Sequence, residues 1–117
     1  MDSAEFSART KAYTLRVIRL VDALPKDDVA RTLGHQLLRA GCSVSANYLA
    51  AARARSRADF ISKMGVVEEE CDETIHWLEL LVGSGRMHPD KIVLLKQEGV
   101  EILSMVVASI RTAKSRR

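Results

Sequence analysis

In this 117-residue sequence, the spacing of one glutamate and one histidine, Glu73 and His76, is compatible with metal binding. Glu73-Thr-Ile-His76 is a Glu-x-x-His motif, and on a helix this spacing places both side chains on one face, as in carboxylate-bridged di-metal bundles. Such centres need a second motif of this kind, but neither His35 nor His88 follows a glutamate by three residues. The sequence therefore predicts no metal and no cofactor, with Glu73 paired to an arginine and His76 on the surface.

An acidic run overlaps this motif. Its members are Glu68, Glu69, Glu70, Asp72 and Glu73. Consecutive positions of a helix point in different directions, so these carboxylates cannot all converge on one ion. A calcium loop needs a different, glycine-containing ligand pattern. We expect the run to form a solvated face, or to pair with arginines across a subunit boundary.

Nucleophilic catalysis has no support in the sequence. The candidate nucleophiles lack a histidine at a compatible helical spacing; they are Ser43, Ser45, Cys42 and Cys71. No glycine-rich turn between a strand and a helix is present to hold a phosphate. We therefore expect no catalytic residues and no enzyme activity, and a metal-dependent enzyme is the weakest of the functional alternatives.

Two groups of basic residues are candidates for binding nucleic acid. Arg53, Arg55 and Arg57 lie at the predicted junction of the second and third helices, and Arg116 and Arg117 close a basic tail. Repeated around a ring, either group would form a positive belt for phosphates. The alternative is ordinary solubilising charge that offsets a helix dipole, and no aromatic stacking platform accompanies the arginines. A net charge of +3 permits an acidic partner without demanding one.

Four polar residues are expected on helix stripes that are otherwise apolar: Arg39, Ser43, Asn47 and Glu73. An unpaired buried polar group costs roughly 1–3 kcal/mol, so these residues need partners. We predict a structural network in which Arg39 pairs with Glu73, directly or through Asn47. Such a pair fixes helix register more than it adds stability. Trp77 lies off the main stripe and is expected to cover a second helix pair or a subunit boundary.

The elements that position these residues are predicted to be four helices, over about 3–24, 28–53, 56–82 and from about 88 onward. Apolar residues recur at steps of three and four in each. Pro25 ends the first helix, Asp27 or Asp28 caps the second, and Ser56 opens the third in a motif like a capping box. Short connections predict an antiparallel, up-down-up-down four-helix bundle, all-α and a single domain over 1–117.

The fourth predicted helix is apolar on more than one side. Val93, Val100, Met105 and Val107 lie off its core stripe, which is expected to include Leu103, and the glycines at 41, 65 and 99 suit close helix approach. Such a patch usually marks an interface, so we expect self-association. Cys42 and Cys71 are expected to be buried in a reduced, cytoplasmic protein. No apolar run is long enough for a membrane span.

The sequence resembles the small four-helix-bundle proteins encoded in intervening sequences of 23S ribosomal RNA. The similarity covers almost the whole chain and is strongest at Gln36–Ala40, Ser43-Val44, Ala46–Tyr48, Ala54–Ser56, Asp59–Lys63, Glu68–Glu70 and Trp77–Leu81. It implies ring-like homo-oligomers, usually pentamers, and no established enzyme activity. The chain departs from the family where Leu49, Ala50 and Ala51 stand in place of the common Arg-Glu-Ala, so an acidic residue is lost.

The resemblance extends to a related bundle, the accessory variability determinant of diversity-generating retroelements. That protein is similar in being a basic pentamer that works with a reverse transcriptase and nucleic acid. We therefore expect a non-enzymatic homo-oligomer that acts as an assembly or adaptor module, with a basic surface for RNA or DNA. The alternative is a structural oligomer that recruits a protein partner, such as a reverse transcriptase, and has no affinity for nucleic acid.

Overall fold

A computed structural model describes residues 2–116 and consists of four long helices. They are α1 (Ser3–Asp22), α2 (Asp28–Ala52), α3 (Arg57–Gly83) and α4 (Val93–Ser115), with a 3₁₀ turn over Pro89–Lys91. No strand occurs in residues 2–116. The predicted all-α four-helix bundle is therefore confirmed, and its dimensions are 50 × 21 × 20 Å.

Side-chain caps fix where three of the helices begin. The carboxylate of Asp2 accepts a hydrogen bond from the backbone N–H of Glu5, and Asp27 accepts one from Ala30. The Ser56 hydroxyl accepts one from the N–H of Asp59 at 3.0 Å. The sequence left Asp27 and Asp28 open as caps of the second helix, and the structure selects Asp27. These bonds satisfy backbone donors that the first turn of a helix leaves without partners.

Two helix boundaries differ from the prediction. α1 ends at Asp22, and Leu24 enters the core from the turn that follows. The N–H of Leu24 bonds to the carbonyl three residues back, which tightens the last turn ahead of Pro25. α4 begins at Val93 because the preceding residues form the 3₁₀ turn, capped by the His88 Nδ1 that accepts from the Asp90 N–H.

The core is mainly aliphatic and also contains the buried rings of Phe6, Tyr13 and Tyr48. Its fully buried side chains include Val17, Leu37, Val44, Met64, Val67, Leu78, Ile102 and Val106. One position of the predicted α4 stripe is wrong, because Ile102 is fully buried and Leu103 is only partly buried. Leu95, Gly99, Ile102 and Val106 are spaced by four, three and four residues, which keeps them on one helix face.

Two glycines allow close packing inside the bundle. A Cβ at Gly41 would lie 2.8 Å from Cγ1 of Val17, and one at Gly99 would lie 2.6 Å from Oη of Tyr13. Gly65 has no such neighbour within 4 Å. The sequence suggests that all three glycines serve self-association. That interpretation is wrong for Gly41 and Gly99, because their lack of a side chain allows close packing of helices within one chain.

The two cysteines have different environments, contrary to the expectation that both are buried. Cys42 is exposed on α2, and Cys71 is buried on α3. Cys42 follows the buried Gly41 by one position, about 100° further round α2, and is exposed there. Burial raises the pKa of the Cys71 thiol to about 12, since a thiolate is poorly solvated in an apolar core.

No helix within residues 2–116 combines the length and the apolar character that a bilayer crossing requires.

Candidate nucleic-acid interface

The basic residues singled out from the sequence gather at one end of the bundle. Arg53 is the C-cap of α2, Arg55 lies in the connection, and Arg57 is the first residue of α3. Arg116 directly follows α4. All four are exposed, and none forms an ion pair with another described residue. Arg117, the fifth predicted binding residue, lies outside the described part of the chain.

A groove between the start of α3 and the end of α4 brings two of these arginines together. Arg57 and Arg116 both line it, and this open groove has a volume of about 760 Å³. Its other lining residues are Phe60, Ala108, Ser109, Thr112 and Ala113. Arg53 and Arg55 do not line this groove; they lie on the chain between the end of α2 and Arg57. The structure therefore brings one arginine of the junction and one of the tail, Arg57 and Arg116, to the same groove.

Phe60 is the aromatic residue of this site, and it is not among the binding residues predicted from the sequence. The sequence predicts no aromatic platform beside the arginines. Phe60 packs against the core but is only partly buried, and it lines the groove. The i, i+3 spacing from Arg57 places the two side chains on one face of α3 and could have revealed this.

Lys63 is less available than the arginines because it has an acidic partner. Its Nζ lies 2.7 Å from Oδ2 of Asp59, one helical turn earlier. The hydrogen bond from Lys63 lowers the pKa of the Asp59 carboxyl. Asp59 also accepts a long hydrogen bond, 3.4 Å, from the backbone N–H of Arg55. This ion pair steadies the α2–α3 connection and leaves the arginines as the unpaired charges of the site.

Arg39 and Glu73 are in contact, but neither is buried. Nη2 of Arg39 donates to Oε1 of Glu73 at 2.6 Å, and Nη1 reaches Glu70 at 3.4 Å. The Arg39 and Glu73 side chains are 48% and 42% exposed. The expectation of a buried pair is wrong, because Arg39 lies one residue before the fully buried Ala40 and is rotated about 100° away from the core. Glu73 and Glu70 raise the pKa of the Arg39 guanidinium through their hydrogen bonds and charge.

Ser43 and Asn47 do not join this ion pair. Nδ2 of Asn47 donates to the backbone carbonyl of Ser43 at 2.9 Å, within α2. The predicted network of four residues is therefore reduced to the Arg39–Glu73 contact. The buried polar contact between helices is made instead by Thr14, whose hydroxyl donates to the Gly41 carbonyl at 2.7 Å and lies 2.8 Å from that of Ser45.

The Glu-x-x-His motif lies on the outer side of α3. His76 is exposed, and its ring centroid lies 5.0 Å from that of Trp77. Within residues 2–116, no three His, Cys, Asp or Glu side chains are grouped closely enough to hold a metal ion. Trp77 is partly buried, and no described residue accepts a hydrogen bond from its Nε1. The motif contributes an ion pair through Glu73 and an edge contact through His76.

Comparison with known proteins adds a family and a structural neighbour. A crystal structure from Bacteroides thetaiotaomicron VPI-5482, of a protein with unknown function from the S23 ribosomal protein family, is similar with a TM-score of 0.88 and 28% identity. The likeness covers 95% of this chain and 99% of that one. No curated protein sequence matches the chain. The 23S rRNA-intervening sequence protein family matches residues 4–108, and the chain belongs to that family.

Proposed function

We propose that this protein is a non-enzymatic, antiparallel four-helix bundle that assembles with copies of itself and binds RNA or DNA at its basic end. The observation that carries the proposal is the convergence of Arg57 and Arg116 on one groove, with Arg53 and Arg55 on the chain between the end of α2 and Arg57. Four exposed guanidinium groups without described carboxylate partners leave a concentrated positive charge. The name of the family, which refers to an intervening sequence of 23S rRNA, makes RNA the first nucleic acid to test.

Phosphate contacts repeated over several subunits could give so small a site a substantial affinity for nucleic acid. Each arginine that neutralises a phosphate releases counterions, so affinity is summed over all such contacts and falls steeply with salt. One chain offers only a few contacts, whereas an assembly repeats the same group in every subunit. Contacts to phosphate position a nucleic acid without reading its sequence. The proposal therefore expects strong salt dependence and little sequence preference.

Self-assembly is supported by apolar side chains on the outer side of α4. Val93, Leu94 and Val100 are exposed, and Leu94 is 71% exposed. Apolar patches of this kind on a small protein commonly mark contact surfaces. The family resemblance points to a ring, usually of five subunits. Static light scattering tests this step: a mass near 13.0 kDa at micromolar concentration would overturn self-assembly, and Val100→Glu should lower the mass of an assembly.

The binding experiment compares two variants of equal net charge. One replaces Arg53, Arg55 and Arg57 with alanine. Its control replaces Arg19, Lys26 and Arg31, which are exposed at the opposite end of the bundle. Filter binding of single- and double-stranded RNA and DNA at low and near-physiological salt should show weakened binding for the first variant only. Equal losses in both would mean that general charge, and not the basic end, holds the nucleic acid.

A protein-recruiting oligomer is the second candidate, and the exposed Leu94 favours it. Its side chain lies near Leu20 and Leu95 in a shallow depression lined also by Arg16 and Lys91. An apolar residue ringed by charge is a common anchor at protein interfaces. If the wild-type protein retains no nucleic acid at low salt, the nucleic-acid function is overturned and this candidate replaces it.

A further inference from the structure

We infer that the groove between α3 and α4 holds one unpaired nucleobase against Phe60, so that the protein prefers single strands to duplexes. This inference rests on the proposed function and narrows it to a class of ligand. Its basis is the presence, in one groove, of an aromatic ring, two guanidinium groups and two hydroxyl-bearing side chains: Phe60, Arg57, Arg116, Ser109 and Thr112.

The apolar part of the groove suits a flat ring. Phe60 packs against the core on one side, which holds its position, and remains accessible from the groove. Ala108 and Ala113 of α4 face the same space and leave it open because their side chains are small. A volume of about 760 Å³ lies within the range of small-molecule sites and accommodates a nucleotide. An aromatic ligand in this space can stack on Phe60.

The charge around the groove selects an anionic ligand. Arg57 comes from α3 and Arg116 from the end of α4, so the groove carries a positive charge on each helix. A nucleotide within a strand is both aromatic and flanked by negative charge, so its base can stack while its phosphates meet the arginines. The hydroxyl groups of Ser109 and Thr112 form no hydrogen bond with a described residue and are free to meet polar edges of a base.

Only an unpaired strand can contact both Phe60 and the arginines of the groove. In a duplex, both faces of each base are covered by neighbouring bases, so Phe60 has no face to stack on. The arginines still reach the phosphates of a duplex. Stacking of a base on an aromatic side chain contributes about ten-fold in affinity and tolerates any base, because every base has a π face. A single strand should therefore bind about ten-fold more tightly than a duplex of equal phosphate count.

The experiment uses the full-length protein and three labelled DNA probes of equal phosphate count. They are an oligothymidylate, the same backbone with abasic sites throughout, and a duplex. Fluorescence anisotropy at low salt should rank the oligothymidylate about ten-fold above the other two. Phe60→Leu should remove that difference while leaving duplex affinity unchanged. The control is Phe6→Leu, which removes a buried ring stacked on Tyr48 at the same end of the bundle and should keep the preference.

The outcomes separate the inference from the function on which it rests. If no probe binds, the base-stacking inference is overturned, whereas the proposed nucleic-acid function fails only if the filter-binding experiment also retains no RNA. If all three probes bind equally, phosphate binding stands and the base-stacking inference is overturned, even where Phe60→Leu does not fold, since the abasic probe needs no variant. If Phe60→Leu changes the mass of the assembly and not the probe preference, the groove is a contact between copies and the inference is again overturned.

Discussion

Arg9 in the first helix and Glu98 in the last are joined by two parallel hydrogen bonds. Nε donates to Oε2 at 2.8 Å and Nη2 donates to Oε1 at 2.7 Å. The side chains are 24% and 20% exposed, so this pair is better shielded from water than Arg39–Glu73. Nη2 also reaches Glu101 at 3.2 Å, and Nη1 lies 3.7 Å from the sulfur of Met105. A planar guanidinium thus binds α1 to two turns of α4.

Glu98→Gln should lower the free energy of unfolding by about 1–2 kcal/mol, because it weakens a charge-assisted, two-point contact in a partly buried place. Glu73→Gln is the matched control. It removes the same charge from a pair that is almost half exposed and should cost less than about 1 kcal/mol. Urea unfolding at one fixed protein concentration measures both. Equal losses would show that the shielding of Arg9 and Glu98 has no energetic effect.

Acid should erase the difference between the wild type and Glu98→Gln. The hydrogen bond from Arg9 lowers the pKa of Glu98, so the folded state binds fewer protons than the unfolded chain does. Stability from this group is complete above the usual glutamate pKa, about 4.3, and is lost as the pH falls through the lowered value. Unfolding curves from pH 7 to pH 3 should converge at the acidic end.

Glu70 should show the opposite dependence on pH. Burial raises its pKa, and the nearby Glu73 adds to that effect, so ionisation of Glu70 opposes folding. The wild type should therefore lose stability relative to Glu70→Gln as the pH rises from the usual pKa of a glutamate through the raised one. The same urea series measures it, and a difference between the two proteins that is constant with pH would contradict this assignment.

Gly99→Ala should destabilise the bundle by about 1–3 kcal/mol. The new methyl group would lie 2.6 Å from Oη and 3.2 Å from Cζ of the buried Tyr13, so a packed ring would have to move. Gly65→Ala is the control on α3, where nothing lies within 4 Å. Alanine is a better helix former than glycine, and this change should stabilise by roughly 0.5–1 kcal/mol. Thermal unfolding of both variants should give shifts of opposite sign.

Thiol titration should distinguish the two cysteines. Cys42 is exposed and should react quickly with a thiol reagent in the native protein. Cys71 is buried, and its raised pKa keeps it as an unreactive thiol at neutral pH. One equivalent should react under native conditions and a second only in denaturant. Reaction of both thiols at the same rate would mean that α3 opens readily around Cys71.

Features that depend on a few neighbouring residues could be predicted from the sequence. Ser56 caps the third helix as expected, since its hydroxyl and the N–H of Asp59 are three residues apart. The start of the fourth helix could not be predicted as well. Pro89 suits both the first turn of an α-helix and a 3₁₀ turn, and the structure places it in a 3₁₀ turn that ends at Lys91, with Ile92 as the N-cap of α4.

Features that depend on how helices face one another were less predictable. The spacing of residues along the helices predicted that Arg39 and Glu73 form a pair. It could not predict that this side of α2 is exposed to solvent. The Arg9–Glu98 pair joins opposite ends of the sequence, and no local pattern links the two residues. The groove was likewise not predictable, because Phe60 and Arg116 line one groove only when α3 and α4 pack side by side.

The glycines at 41 and 99 have a consequence for the alignment of α1. Val17 and Tyr13 lie one turn apart on α1, and they fill gaps in two different helices, α2 and α4. If α1 shifted along its axis by one turn, about 5.4 Å, the phenol ring of Tyr13 would have to occupy the space beside Gly41 that now holds the isopropyl group of Val17. Aliphatic cores tolerate many arrangements of similar side chains. Because Val17 fits only beside Gly41 and Tyr13 only beside Gly99, packings in which α1 is shifted along its axis are disfavoured. The two contacts together define one axial position for α1.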